Sequence, residues 1–206
     1  MKFILGKKIK MTQIWKDGKI IPVTVIEAGP VKVTQVRSKE KDGYEAVQVG
    51  FGVRKIKNIN KPQQVQFKDL GNFAHVKEFR SKPKINGPMP DVKIGDVFDV
   101  SQFVDGDKIK VSALSKGRGF QGVVKRHGFK GGPKTHGQKN RLRAPGSIGS
   151  TAPQRVVPGR RMAGRMGQER FSIKNLKVVQ IDKENNILMV KGAIPGFKGR
   201  LLEIQG

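Results

Sequence analysis

Three glycines at positions 117, 119 and 122 have the G-x-G-x-x-G spacing with which nucleotide-binding loops bring backbone N–H groups close to phosphate. In dinucleotide-binding loops a helix follows the third glycine, and an acid follows about 20 residues later. The run Lys125–Gly128 that comes next here is not a helix start, and no acid occurs between Asp107 and Glu169. The H-R-D and D-F-G triplets of protein kinases do not occur in the sequence either. The glycines therefore predict a turning loop whose N–H groups can approach phosphates, without the nucleotide site of an enzyme.

Histidine and acidic residues offer little for metal binding or catalysis. His127 and His136 lie nine residues apart and His75 is far away, whereas metal sites favour closer pairs with a carboxylate or cysteine partner. The chain has no cysteine, and its serines have no nearby histidine in a nucleophile motif. We therefore expect no metal, no cofactor, no catalytic residue and no enzyme activity. We interpret His127, beside Arg126, as a phosphate or base contact.

The stretch Lys116–Arg170 is the most basic part of the chain. Its 55 residues include fourteen Lys or Arg, twelve Gly, two Phe and a single acid, Glu169. A segment so charged and so poor in apolar residues buries too little surface to offset its ordering entropy, so alone in water we expect it to be mobile. A polyanion of large surface would order it, and nucleic acid is the abundant polyanion of that kind.

The composition of the whole chain excludes other classes of function. The 206 residues carry a net charge of +26, and no window reaches the roughly 18 apolar residues of a membrane span. The N-terminus lacks the apolar region of a signal peptide. We expect a cytoplasmic protein with no membrane partner and no small-molecule substrate.

Short strands with turn signals between them predict a mainly β fold, as a barrel or a sandwich. Turns are predicted at Asp17-Gly18, Asp42-Gly43, Asp105-Gly106 and Glu184–Asn186. The predicted strands are Ile20–Ile26, Val31–Arg37, Tyr44–Phe51, Val97–Val104, Lys108–Leu114, Leu176–Asp182 and Ile187–Val190.

One segment, Lys61–Arg80, has apolar residues at helical spacing and predicts one or two short helices interrupted near Gly71. A proline-rich connection follows between Ser81 and Asp91. Trp15 and Tyr44 lie in strand regions, and we expect them in the core.

The low aromatic content limits the kind of nucleic acid that the chain can recognise. Single-strand binders stack bases on aromatic side chains, and an RRM needs an aromatic RNP1 run that this sequence lacks. No recognition-helix pattern lies in the basic stretch. What remains is recognition of the backbone of a folded RNA by an extended strip.

Several sequence blocks closely resemble the L-three family of large-subunit ribosomal proteins in its bacterial form. They run in order along the whole chain: Leu5–Trp15, Ser115–Gly122, Arg126–Gly137, Arg143–Gly149, Met162–Gly167 and Lys191–Gly196. Arg126–Gly137, which reads RHGFKGGPKTHG, is the most specific of them.

The resemblance implies a β-barrel core of the translation-protein type, with a short helical insert and a long basic non-globular extension. The core would be discontinuous, 1–115 and 170–206, with the insert at about 61–90, and 116–169 would be the rRNA-binding loop. The family implies a structural constituent of the large subunit that binds 23S-type rRNA near its 3′ end and contacts neighbouring ribosomal proteins. It also implies a role early in subunit assembly and an extension that reaches toward the peptidyl-transferase centre.

Carried over residue by residue, the rRNA contacts fall on matching positions of the extension. They are Lys116, Arg118, Gly119, Phe120, Gln121, Lys125, Arg126, His127, Lys130, Lys134, His136, Lys139, Arg141, Arg143, Arg155, Arg160, Arg161 and Arg165. Two positions depart from the family: Lys10 stands where a glycine is expected, and Ser150 where some bacterial members have a methylated glutamine. The alternative hypothesis is a free-standing RNA chaperone or nucleic-acid-binding regulator that uses the same strip.

Overall fold

The computed structural model describes residues 2–80 and 91–206. The chain divides into two compact units, Met1–Leu114 with Arg170–Gly206, and Ser115–Glu169. We call the first the core and the second the extension. The proline-rich connection expected after Ser81, with the end of the insert at 61–90, lies outside the described residues.

A six-stranded sheet of the core closes on itself as a barrel. All six neighbouring pairs are antiparallel, in the order β1-β12-β7-β10-β11-β2. The strands are β1 (Phe3–Lys16), β2 (Lys19–Ala28), β7 (Lys108–Leu114), β10 (Arg170–Asp182), β11 (Ile187–Lys191) and β12 (Leu201–Gln205). The prediction of a mainly β fold is confirmed.

Alternation along the strands explains why this sheet encloses a core. In β12, Leu202 and Ile204 are fully buried while Glu203 between them is not. In β7, Ile109 and Val111 are buried and alternate with lysines. Because successive side chains of a strand point to opposite faces, each strand contributes one apolar row to the interior.

A second, four-stranded sheet of the core has the order β5-β4-β3-β6. Its strands are β3 (Val31–Arg37), β4 (Ala46–Val53), β5 (Phe73–Arg80) and β6 (Val97–Phe98). Phe3 of the barrel stacks on Phe79 of this sheet with ring centroids 4.9 Å apart, and both side chains are buried. The two sheets therefore share one hydrophobic cluster.

Helices are short in the described part of the chain. They are α1 (Lys39–Asp42), α2 (Lys61–Gln66) and α3 (Val123–His127), with 3-10 turns at Ile56–Asn58 and Val100–Gln102. The extension also contains a two-stranded sheet of β8 (Gly119–Gln121) and β9 (Gly164–Met166).

Several sequence predictions of elements are wrong. The second half of Lys61–Arg80 is strand β5 rather than helix, because it pairs with β4 over the full length from Ala46–Arg80 to Val53–Phe73. The strand expected at Val97–Val104 stops at Phe98, because the Asp99 carboxylate accepts from the Ser101 N–H at 2.9 Å and caps a 3-10 turn. β12 is a strand that the sequence does not predict.

The expected burial of two aromatic residues also differs. Trp15 is 70% exposed, because it lies near the tip of the β1–β2 hairpin, paired with Ile20. Tyr44 is half-buried, with the Arg80 guanidinium 3.7 Å from its ring centroid. The turn at Asp17-Gly18 is confirmed, with positive φ at both residues and Lys16 paired with Lys19.

Candidate nucleic-acid interface

The extension begins and ends as a pair of antiparallel segments. The Ser115 N–H donates to the Glu169 carbonyl at 2.9 Å, and the Arg118 N–H donates to the Met166 carbonyl at 2.9 Å. Gly167, at φ +78°, lies so close to the Lys116 carbonyl that a Cβ there would overlap it. Glycine is required at this position both for its backbone conformation and for the close approach.

The β8–β9 ribbon places an aromatic side chain opposite a cation. Phe120 pairs directly with Arg165, and side chains of such a pair lie on the same face. Phe120 is 76% exposed, which is unusual for a phenylalanine. An exposed ring beside a guanidinium can stack on a base while the cation contacts a phosphate. Gln121 and Gly119, also expected in the site, lie on this ribbon, where the Gln121 amide donates to the Arg118 carbonyl.

Helix α3 corrects the expectation that no helix follows the glycine-rich loop. It spans Val123–His127 and ends at Gly128, which has φ +74° and donates to the Val124 carbonyl. A left-handed glycine is a common helix C-terminus, and the sequence RHG that argued against a helix start is in fact a helix end. The acid required for a dinucleotide site is still missing, because no acid occurs between Asp107 and Glu169.

Two predicted contact residues on α3 converge on one backbone atom. Arg126 Nη1 donates to the Met162 carbonyl at 2.8 Å, and His127 Nε2 lies 3.0 Å from the same oxygen. Both side chains therefore hold in place the segment that leads into β9. The remaining guanidinium donors of Arg126 and the second ring nitrogen of His127 are the groups that could contact RNA.

Beyond α3 the chain folds back at another pair of glycines. The Gly132 N–H donates to the Arg141 carbonyl at 3.1 Å, and a Cβ at Gly131 would overlap the Leu142 carbonyl. A cleft of about 610 Å³ lies here, lined by Gly128–Pro133, Gln138, Arg141 and Ala144–Gly146. The side chains of Lys130 and Arg141 give this cleft the positive charge that attracts phosphate oxygens.

The other predicted contacts are exposed side chains: Lys116, Arg118, Lys125, Lys130, Lys134, His136, Lys139, Arg141, Arg143, Arg155, Arg160, Arg161 and Arg165. Two of them have partners inside the extension, since Arg160 donates to the Ser147 carbonyl and Arg165 to the Gln168 side chain. The structure thus gathers Phe120 with Arg165, and Arg126 with His127, and leaves the others distributed along the strip.

The electrostatics of the extension are one-sided. It contains thirteen Lys or Arg residues and one acid, Glu169. Among residues 2–80 and 91–206, every ion pair joins side chains of the core and none involves the extension. The positive charge of the extension is therefore not neutralised within the chain.

Comparisons with known proteins identify the family of the chain. The family model described as ribosomal protein L3 matches residues 68–206, which include the whole extension. The chain belongs to the ribosomal protein L3 family. A protein of Roseiflexus sp. strain RS-1, named large ribosomal subunit protein uL3, is 52% identical over 205 residues, covering 98% of this chain and 95% of the relative. The same name is carried by a protein of Herpetosiphon aurantiacus that is 53% identical, with coverage of 98% and 94%. One of Finegoldia magna is 45% identical, with coverage of 100% and 97%.

In this L3-family chain, the sequence did not indicate the residues that shape the strip. The Met162 carbonyl, which accepts from Arg126 and lies against His127, is a backbone group, so no residue type marks it. Gly131 and Gly167 lie in blocks that resemble the L-three family, but nothing in the sequence distinguishes them from the other glycines there, and their positive φ is known only from the structure. No helix of the described chain is long and apolar enough to cross a bilayer. Residues 2–80 and 91–206 bring together no group of three or more His, Asp or Glu that could hold a metal ion.

Proposed function

We propose that this chain is a structural constituent of the large ribosomal subunit and binds its rRNA through the extension. The observation that carries the proposal is a strip with thirteen cations, one acid and no internal ion pair. Such a strip is stabilised by neutralising phosphates, which also releases counterions. Relatives about half identical over nearly the full length bear the name of a large-subunit protein, which supports the same partner.

The finer role follows from the family resemblance. The chain would bind 23S-type rRNA near its 3′ end early in assembly, in the cytoplasm, beside other large-subunit proteins. Its extension would reach toward the peptidyl-transferase centre and order RNA there without supplying a catalytic group. Exposed Phe120 and Arg165 suit an unstacked nucleotide, whereas the glycine turns at 131–132 suit backbone phosphates.

Sedimentation of a tagged chain in a cell lysate tests the coarse proposal. We expect the chain in large subunits at one copy per particle, and cross-linking should recover rRNA fragments from near the 3′ end. A matched pair of variants assigns the contact to the extension. Lys134→Gln with Lys139→Gln should weaken rRNA binding, whereas Lys39→Gln with Lys41→Gln, exposed lysines of the core, should leave it close to wild type.

A chain that remains at the top of the gradient, bound to mixed RNAs, would contradict the proposal and indicate the free-standing RNA chaperone or regulator instead.

A further inference from the structure

A second concentration of cations lies on the core. A cleft of about 720 Å³ is lined by residues of β5, β7, β10 and β12. Its lining contains one acid, Glu78, and five basic residues: Arg80, Lys108, Lys110, Arg170 and Lys174. None of these five lies in the extension, Ser115–Glu169, and only Arg170 is next to it in sequence.

The carboxylate of the lining, Glu78, and a neighbouring one, Glu203, already have cationic partners. Glu78 accepts from Arg37 Nε at 2.8 Å and from the Tyr44 hydroxyl at 3.0 Å. Glu203 is paired with Arg170, and Lys77 Nζ lies 3.7 Å from its other oxygen. In the described part of the chain, Lys108, Lys110 and Lys174 take part in no ion pair.

Arg80 is held by an aromatic ring rather than by an acid. Its guanidinium lies 3.7 Å from the Tyr44 ring centroid, a cation–π contact that fixes the side chain without neutralising it. The N–H donors at the edge of the guanidinium plane remain suited to an oxyanion.

The backbone also brings like charges together here. Lys108 lies directly opposite Lys177 across β7 and β10, a pairing that costs stability. The register of β10 shifts between Ile173 and Leu176, and Asn175 within the shift has φ +58°. Strand irregularities of this kind re-aim side chains and occur next to functional sites. The irregularity contains Lys174, one of the cleft cations.

We propose that this cleft is a second RNA-binding surface, formed by the core, that takes the phosphate backbone of structured RNA. Lys108 and Lys110 are two residues apart in one strand, so they lie on one face at a spacing of about 7 Å. Such a row of cations suits successive phosphates better than one small anion. The inference rests on the proposed function, which supplies the RNA, and adds a contact outside the extension.

The salt dependence of binding by the full chain tests it, with a fragment of large-subunit rRNA as probe. The triple variant Lys108→Gln, Lys110→Gln, Lys174→Gln should reduce the slope of log K against log salt by roughly 2–3, since each lost phosphate contact removes about 0.7–0.9. The matched control is Lys39→Gln, Lys41→Gln, Lys57→Gln, with the same charge loss at exposed core positions outside the cleft. Arginine at the three cleft positions should retain the wild-type slope, provided that all variants melt as wild type does.

If the two triple glutamine variants have the same salt slope and bind the rRNA fragment as wild type does, the cleft is not an RNA-binding surface. The proposed function would be unaffected by that result. If the slopes are equal but subunits that carry the cleft variant lack a neighbouring protein, the cleft binds an acidic segment of that protein instead of RNA. A wild-type chain without affinity for the rRNA fragment would overturn both proposals.

Discussion

Charged side chains have different partners in the core and in the extension. In the core, Arg37 bridges two carboxylates, Asp42 and Glu78, at 2.6 and 2.8 Å. In the extension, Arg126 and Arg160 donate to backbone carbonyls, those of Met162 and Ser147. A carbonyl accepts a hydrogen bond but carries no net charge, so these contacts position the guanidinium without neutralising it. Arg37 thus stabilises the fold of the core, whereas Arg126 and Arg160 of the extension remain available to a polyanion.

The core and the extension differ as strongly in how many apolar side chains they bury. The core buries a cluster that includes Phe3, Phe79 and Phe103, whereas Val123 is the one buried hydrophobic side chain of the fully described extension. Since apolar burial is the main favourable term in folding, the core can stabilise itself. The extension relies on backbone contacts and tight glycine turns, and RNA would supply the rest.

The largest effect that tests this contrast is expected from deleting residues 129–158. The deletion joins Gly128 to Gly159 and removes six cations and no acid. The core should keep its melting temperature, because none of its strands is shortened and loop length changes closure entropy slowly. The salt slope of rRNA binding should fall by roughly 4–5, at about 0.7–0.9 per lost contact. Subunits that incorporate this variant should assemble slowly.

Calorimetry and binding titrations over a range of salt concentrations measure the two effects separately. A large loss of core stability would show that the two units are not independent. An unchanged salt slope would show that the distal cations do not bind RNA.

Alanine substitutions at two phenylalanines should affect folding stability and RNA binding separately. Phe3→Ala removes a fully buried ring stacked on Phe79 and should cost about 3–5 kcal/mol of unfolding free energy. Phe120→Ala, at a ring 76% exposed, should change stability by less than about 0.5 kcal/mol but weaken RNA binding by about 1–3 kcal/mol. Chemical denaturation and rRNA titration of both variants make the comparison. Equal stability losses would mean that Phe120 is a packing residue.

Local signals in the sequence were sufficient for some elements and not for others. Strands such as Val31–Arg37 and Lys108–Leu114 were predicted to the residue, because β-branched residues alternate between turn signals there. β5 was predicted as helix because Phe73, Val76 and Phe79 recur every three residues, and it is a strand because it pairs with β4. Tertiary pairing of this kind is not present in a local window of sequence.

The candidate site shows the same limit. The charge of the strip is a matter of composition, so the sequence reveals it directly. The convergence of Arg126 and His127 on the Met162 carbonyl joins residues more than 30 positions apart, and no spacing rule connects them. The sequence does not predict the cleft of the core for the same reason, since Arg80, Lys108 and Lys174 come from three different strands.

A smaller effect, on local hydrogen exchange, is expected from alanine substitutions at two glycines of the extension. Gly131 and Gly137 have φ of +77° and +75°, so alanine at either costs about 1–2 kcal/mol locally. Only at Gly131 would the Cβ also overlap a backbone carbonyl, that of Leu142, whereas the space at Gly137 is open. Gly131→Ala should therefore speed hydrogen exchange of the Gly132 amide, which donates to Arg141, well beyond the effect of Gly137→Ala. The same exchange rate in both variants would mean that the turn is not held by this contact.

The smallest expected effect is a pH dependence confined to the core. Burial, together with Lys7, Lys77 and Arg54, lowers the pKa of His75 on β5. The folded state therefore binds fewer protons than the unfolded chain, whose histidine titrates near about 6.5. Stability from this residue is present above that pH and is lost as the pH falls below it, toward the lower folded pKa. Between pH 7.5 and 5.5 the melting temperature should therefore fall more in wild type than in His75→Gln. His136→Gln, at an exposed position of the extension, is the matched control and should follow the wild-type curve. If His75→Gln followed that curve too, the lysines and arginine around His75 would not be acting on its charge.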